Sequence, residues 1–111
     1  MRLKTQDYND ITIVELQGEL DGDLTETLQN ATTDIAQKHK IGIVLDLSAV
    51  VFIDSQGLEL LLWVRDYCHQ NKIQLRLAGL DENCKKILEV TRLEGAFDRY
   101  AELTEAVKSF V

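Results

Sequence analysis

The segment Ile41-Gly42-Ile43-Val44-Leu45-Asp46-Leu47 is nearly continuous apolar and β-branched. Such a run suits a central strand covered on both faces. A strand of that kind needs a layer of structure above it and another below.

The flanking segments alternate in period. Residues 2–8 and 11–18 read as two strands joined by the turn-like pair Asn9-Asp10, and so short a connection makes them antiparallel. In the second, Thr12, Val14 and Leu16 share one face, with Ile11, Ile13 and Glu15 on the other. Leu24, Leu28, Ala31 and Ile35 then recur at helical spacing, which predicts a helix over about 23–38 with Asp21 or Asp23 as its cap. Residues 48–54 read as a loop and 56–71 as a second helix. Ile73, Leu75 and Leu77 alternate with Gln74 and Arg76 as a further strand ended by Gly79. Cys84, Ile87, Leu88 and Thr91 mark a third helix. A short strand near 97–100 and a last helix over 103–110 complete the chain.

The order predicted is β-β-α-β-α-β-α-(β)-α. Strand–helix–strand units make parallel crossovers, so the fold class is α/β. One domain over 1–111 is expected, a mixed sheet of four to five strands packed with about four helices.

Charge and composition narrow the function. Acidic residues outnumber basic ones 19 to 12, and the net charge is −7. A nucleic-acid binder ordinarily presents a basic face to phosphates, and Lys85-Lys86 is the sole adjacent basic pair, so no direct nucleic-acid contact is expected. The N-terminus lacks an apolar signal core. The apolar run Leu60–Val64 stops at Arg65-Asp66, far short of the roughly 20 residues of a membrane span. The cytoplasm follows as the expected location. Cys68 and Cys84 are too few for a disulfide framework and fit no common metal spacing, and both fall at helical core positions.

The stretch Val51-Phe52-Ile53-Asp54-Ser55-Gln56-Gly57-Leu58 joins the central strand to the second helix. Loops at such strand ends favour ligands and partners. Ser55 sits at the expected N-cap, and its hydroxyl suits two roles. It can accept a first-turn N–H as an ordinary cap. Equally, a phosphoryl group there would meet free N–H groups and the positive end of the helix dipole. Gly57 keeps the first turn low for the approach of another protein or a nucleotide. In helical projection Leu60, Leu61, Val64, Tyr67 and Cys68 form the core face, while Ser55, Leu58, Glu59, Leu62 and Asp66 cluster on another. Leu58 and Leu62 thus form an apolar stripe beside Ser55, partly exposed and rimmed by charge. In Gly18-Glu19-Leu20-Asp21-Gly22 the alternatives are a plain turn or an Asp21 that meets a basic partner group. His39 and His69 sit at helix ends, and Trp63 is expected to pack at a helix edge. The chain contains no GxSxG, P-loop, GxGxxG or HExxH pattern, so no catalytic residues, no metal and no cofactor are expected.

Four motifs in order carry a resemblance. Gly18-Glu19-Leu20-Asp21, Val44-Leu45-Asp46-Leu47-Ser48, Phe52 to Leu58, and Ile87 to Leu93 with Phe97-Asp98-Arg99-Tyr100 resemble the STAS domain. That family comprises bacterial anti-sigma factor antagonists and cytoplasmic domains of sulfate transporters. The resemblance implies a non-enzymatic, phosphorylation-controlled regulator of transcription. Its partners would be an anti-sigma factor that is also a serine kinase, and a metal-dependent serine phosphatase. Ser55 would be the phosphorylated residue. Asp21 and Asp54 would lie near the kinase contact, beside Gln56, Gly57 and Leu58, with Gln56 and Glu59 on its rim and the Leu58–Leu62 face docked on the kinase. Gln56 stands where the family usually has Ser, Thr or Ala. Glu59 holds a position that is often small, and Arg92 one where Gly is usual. The alternative role implied is an accessory subunit of a lipid-transporting ABC system, with Ser55 an interface residue.

Overall fold

The computed structural model describes residues 2–110, the side chain of Leu24 excepted. The expected place of that side chain on the first helix's apolar stripe therefore lies outside the described residues. Strand β1 (Arg2–Tyr8) pairs antiparallel with β2 (Ile11–Leu20), Arg2 opposite Gln17 and Tyr8 opposite Ile11. Strands β3 (Gly42–Ile53), β4 (Gln74–Ala78) and β5 (Asp98–Tyr100) follow in parallel, giving a five-stranded mixed sheet in the order β1-β2-β3-β4-β5. Helices α1 (Thr25–Gln37), α2 (Ser55–Gln70) and α3 (Glu82–Val90) form the crossovers, and α4 (Leu103–Lys108) ends the fold.

The strands advance in one direction from β2 to β5. Right-handed crossovers therefore place all three connecting helices on one face. That face holds the main core, where Val14, Leu16, Leu45 and Leu77 meet Leu28, Leu61, Val64 and Leu88. On the other face Ile11, Val44 and Ala78 pack beneath Ala106 of α4. Neighbouring residues of β3 thus enter different cores, Val44 one and Leu45 the other, which explains the uninterrupted apolar run. Its one acidic residue, Asp46, is buried. Its Oδ1 accepts hydrogen bonds from the Ser48 N–H at 3.1 Å and the Ser48 hydroxyl at 2.8 Å, which meets the cost of burying a carboxylate.

Residues 48–53 are not the expected loop. They continue β3, because β2 also runs on to Leu20 and pairs with them, Leu20 opposite Ile53. Two register irregularities in β2 accommodate the extension, and Gly18 beside one of them has φ 100°, a bulge conformation that glycine adopts at little cost. β4 stops opposite Asp46. Beyond it α3 covers part of the β3 edge, with Cys84 Sγ 3.7 Å from the Val50 carbonyl. Phe52 stays exposed there, next to Val90 of α3, and Val51 is exposed as well.

Helices α2 and α3 end in the same motif. After α3, Arg92 N–H donates to Glu89 O and Leu93 N–H to Leu88 O, with Arg92 at φ 59°. After α2, Lys72 N–H donates to His69 O and Ile73 N–H to Cys68 O, with Lys72 at φ 59°. Both are Schellman ends, whose left-handed residue is usually glycine. The side-chain penalty there is roughly 1 kcal/mol, so Arg92→Gly is expected to raise stability by about that amount in denaturant titration.

Cys68 and Cys84 are both buried and free, as their helical positions predict. Burial pushes the Cys68 thiol up to about 12; for Cys84, also at about 12, burial leads and the adjacent Asp81 carboxylate adds to it. Each thiol stays neutral in the native state but ionises near 9 once unfolded. Their contribution to stability is complete below that pH and is lost as pH rises toward 12. At pH 8, alkylation of the native protein should run on the order of a thousandfold slower than in denaturant; similar rates in the two states would contradict this burial.

Candidate functional site

Leu20 and Ile53 end neighbouring parallel strands in register. The residues after them, Asp21 and Asp54, are therefore carried to the same edge of the sheet. The Asp54 N–H donates to the Leu20 carbonyl at 3.2 Å, tying the two strand ends together. Asp21 Oδ1 then accepts from the Asp23 N–H at 3.0 Å and caps the short 3₁₀ turn Gly22–Leu24 that leads into α1.

Asp54, not Ser55, is the N-cap of α2. Its backbone is extended, and its Oδ1 accepts from the Gly57 N–H at 2.8 Å. A carboxylate at this position also opposes the positive end of the helix dipole, so it competes well with a hydroxyl one residue later. Ser55 is displaced to the first helical residue, where its side chain is exposed. Asp54 takes the Gly57 N–H, leaving the first-turn N–H groups of Ser55 and Gln56 at the open end of a 16-residue helix.

Gly57 does not hold space open for an incoming molecule. It is buried, and a Cβ there would collide with the Leu20 carbonyl oxygen. The close approach it permits is internal, between the first turn of α2 and the end of β2. Gly22 differs: a Cβ there would strike only the side-chain oxygen of Gln56, the far end of an exposed side chain that can swing aside. The Gly57 contact seats the first turn of α2 on the end of β2, where the Asp21 loop begins.

The predicted residues therefore separate into groups. Asp21, Asp54, Ser55 and Gln56 come together at the sheet edge, with Ser55, Gln56 and Glu59 exposed. Leu58 and Leu62 are half-buried and pack on the main core, so their outer surfaces form a narrow apolar stripe. Leu62 lies seven residues along the helix from Ser55, about 10 Å at 1.5 Å per residue. His39 follows α1 and His69 lies in the last turn of α2, both at the opposite edge of the sheet from Ser55.

Two features escaped the sequence reading. One is the exposed apolar pair Phe52 and Val90, with 49% and 71% of their surface accessible; it was hidden because 48–54 read as loop. The other is a groove between the start of α1 and the face of α2 that bears Gln56, Glu59, Leu60 and Trp63. Their spacing of three, four and seven residues was visible in the sequence, but the wall opposite it was not.

The site should be sensitive to its supports. Gly57→Ala is expected to cost about 2–3 kcal/mol, because the colliding atom is backbone and cannot move aside cheaply. Asp54→Ala should cost about 1 kcal/mol through loss of the cap. Thermal or urea unfolding of each variant measures both, and a neutral Gly57→Ala would show that α2 is not pinned at Leu20.

Against known proteins, the family model for the STAS domain matches residues 2–106. A STAS-domain containing protein of Pseudomonas aeruginosa is 28% identical over 95 residues, spanning 86% of this chain and 92% of that protein. Among solved structures, an anti-sigma factor antagonist from Mycobacterium paratuberculosis superposes with a TM-score of 0.84 at 22% identity, covering 97% of this chain and 92% of that one. The phosphorylated form of the Bacillus cell fate determinant SpoIIAA superposes with a TM-score of 0.76 at 18% identity, covering 99% and 100%. At such identities the two structures establish a shared fold.

Proposed function

The chain belongs to the STAS domain family, and from that premise we propose that it is an anti-sigma factor antagonist whose binding is controlled at Ser55. The observation that carries the reading is the exposed Ser55 hydroxyl at the first residue of α2, with Asp54 and Asp21 beside it on one sheet edge. The partner is an anti-sigma factor that is also a serine kinase. In the unmodified state it docks over Ser55, Gln56 and the outer surfaces of Leu58 and Leu62, and the sigma factor is released. This role belongs to the cytoplasm and needs no catalysis from the chain itself.

Phosphorylation reverses the contact. The Ser55 oxygen attacks the γ-phosphorus of ATP, the bond to ADP breaks, and the hydroxyl proton leaves to a base or water on the kinase. The product carries about −1.5 to −2 additional charges at pH 7. The first-turn N–H groups and the helix dipole favour that dianion within this chain. In the complex it would be stripped of water beside two aspartates, and like-charge juxtaposition at an interface costs several kcal/mol. The partner therefore leaves. A metal-dependent serine phosphatase then adds water across the phosphate ester and restores the hydroxyl.

Support comes from two directions. The serine is accessible and sits at the N-terminus of a 16-residue helix, whose dipole and free N–H groups offset part of the charge of a phosphate. SpoIIAA, which shares the fold, has been solved in both unphosphorylated and phosphorylated forms.

Intact mass after incubation with ATP and the host's serine kinases should show one added phosphate, mapped to Ser55. By calorimetry, Ser55→Ala should bind the unmodified chain's partner as the parent does and accept no phosphate. Ser55→Asp should bind at least about tenfold more weakly, a difference of about 1.4 kcal/mol. Equal binding by parent, Ser55→Ala and Ser55→Asp would overturn the mechanism.

A further inference from the structure

The α1–α2 groove beside Ser55 has a chemistry of its own. It encloses about 520 Å³ and opens to solvent. Gln56, Glu59 and Trp63 form the α2 wall, with Leu60 buried at its base. Asp23 and Gln29 stand opposite. Among the described residues no Lys, Arg or His lines it. Asp23 and Glu59 are exposed, and neither joins a salt bridge among the described residues. Trp63 is half-buried and held by stacking on Tyr67, ring centroids 5.0 Å apart and planes 13° from parallel.

These groups call for one kind of visitor. Two unpaired carboxylates favour a cation. An indole favours a flat, weakly hydrated cation that can stack on it. Two carboxamide oxygens add acceptors for a group with several N–H donors. A guanidinium answers all three demands; an ammonium answers the first well and the others poorly. Arginine is also among the residues that dominate binding energy at protein interfaces.

We propose that this groove receives an arginine side chain of the partner protein, with its guanidinium against Trp63 and between Asp23 and Glu59. The groove begins at Gln56, the residue after Ser55, so a domain covering the serine reaches it without a second docking event. Glu59 and Trp63 then act as selectors of partner identity, separate from the Ser55 switch. The inference takes its partner from the function proposed above, but its test does not depend on that partner.

The probe is N-acetyl-arginine amide, titrated into the ¹⁵N-labelled full chain and followed by NMR. Trp63 is the chain's single tryptophan, so its indole N–H is an unambiguous reporter. Saturable shifts are expected at that indole and at the amides of Gly22, Asp23, Gln56 and Glu59. N-acetyl-lysine amide should bind at least threefold more weakly, and the neutral citrulline analogue should give no saturable shift. Glu59→Gln, a surface change that leaves the fold intact, should weaken the arginine probe at least threefold, as should Trp63→Leu. Absent saturation, equal response to lysine, or shifts spread over the whole acidic surface would each overturn the groove. If Ser55 still accepts phosphate in that case, the switch stands without the groove. Arginine binding in a chain whose Ser55 is never modified would leave the groove and remove the switch.

Discussion

At the carbonyl oxygen of Leu20 one atom meets two demands. It accepts the Asp54 N–H, which joins the end of β2 to the end of β3. It also lies so close to Gly57 that any side chain there would collide with it. The first turn of α2 can therefore settle onto the end of β2 only because residue 57 has no Cβ. Asp54 reinforces the arrangement from the other side by capping Gly57 N–H. The position of Ser55, the orientation of the open helix end, and the adjacency of Asp21 all follow from this three-way contact.

The strand beneath the site explains why such a contact is stable enough to use. β3 is packed on both faces, by α1, α2 and α3 on one and by α4 on the other. Its far end stays paired with β2 beyond the last residue of β4. The serine is thus held by a strand with little freedom to move, while its own side chain faces solvent. A rigid base under an exposed hydroxyl is what a modification site requires if one charge is to change one interface. On the proposed reading, the acidic residues around it would sharpen the effect, because an added dianion would join Asp21 and Asp54 rather than neutralise a basic patch. The helix dipole is the local counterweight, and it acts only within the chain.

Much of this was legible from residues alone. The alternation in β1, β2 and β4, the helical spacing of the main core, and the doubly covered run at 41–47 led to the right elements in the right order. Errors fell where local chemistry admits two readings. Asp54 and Ser55 are both good caps, and choosing between them needs the backbone turn, which places Asp54 Oδ1 on the Gly57 N–H. Residues 48–53 pair with β2 or hang as a loop depending on how far β2 itself extends. Gly57 reads equally as a door for a partner or a seat for a carbonyl.

Taken alone, the amino-acid order determined the fold class, the succession of elements, the buried faces and the serine at the strand-to-helix junction. These depend on period and spacing within short windows, which local chemistry dictates. Only the folded chain decided which side chain caps α2, that Gly57 is filled from inside, that Gly22 lies under Gln56, and that Trp63 walls a groove facing Asp23. The cap turns on the backbone path at the strand-to-helix junction; the other three pair residues far apart along the chain, and the distance between them is set by how two elements pack rather than by either element's own sequence.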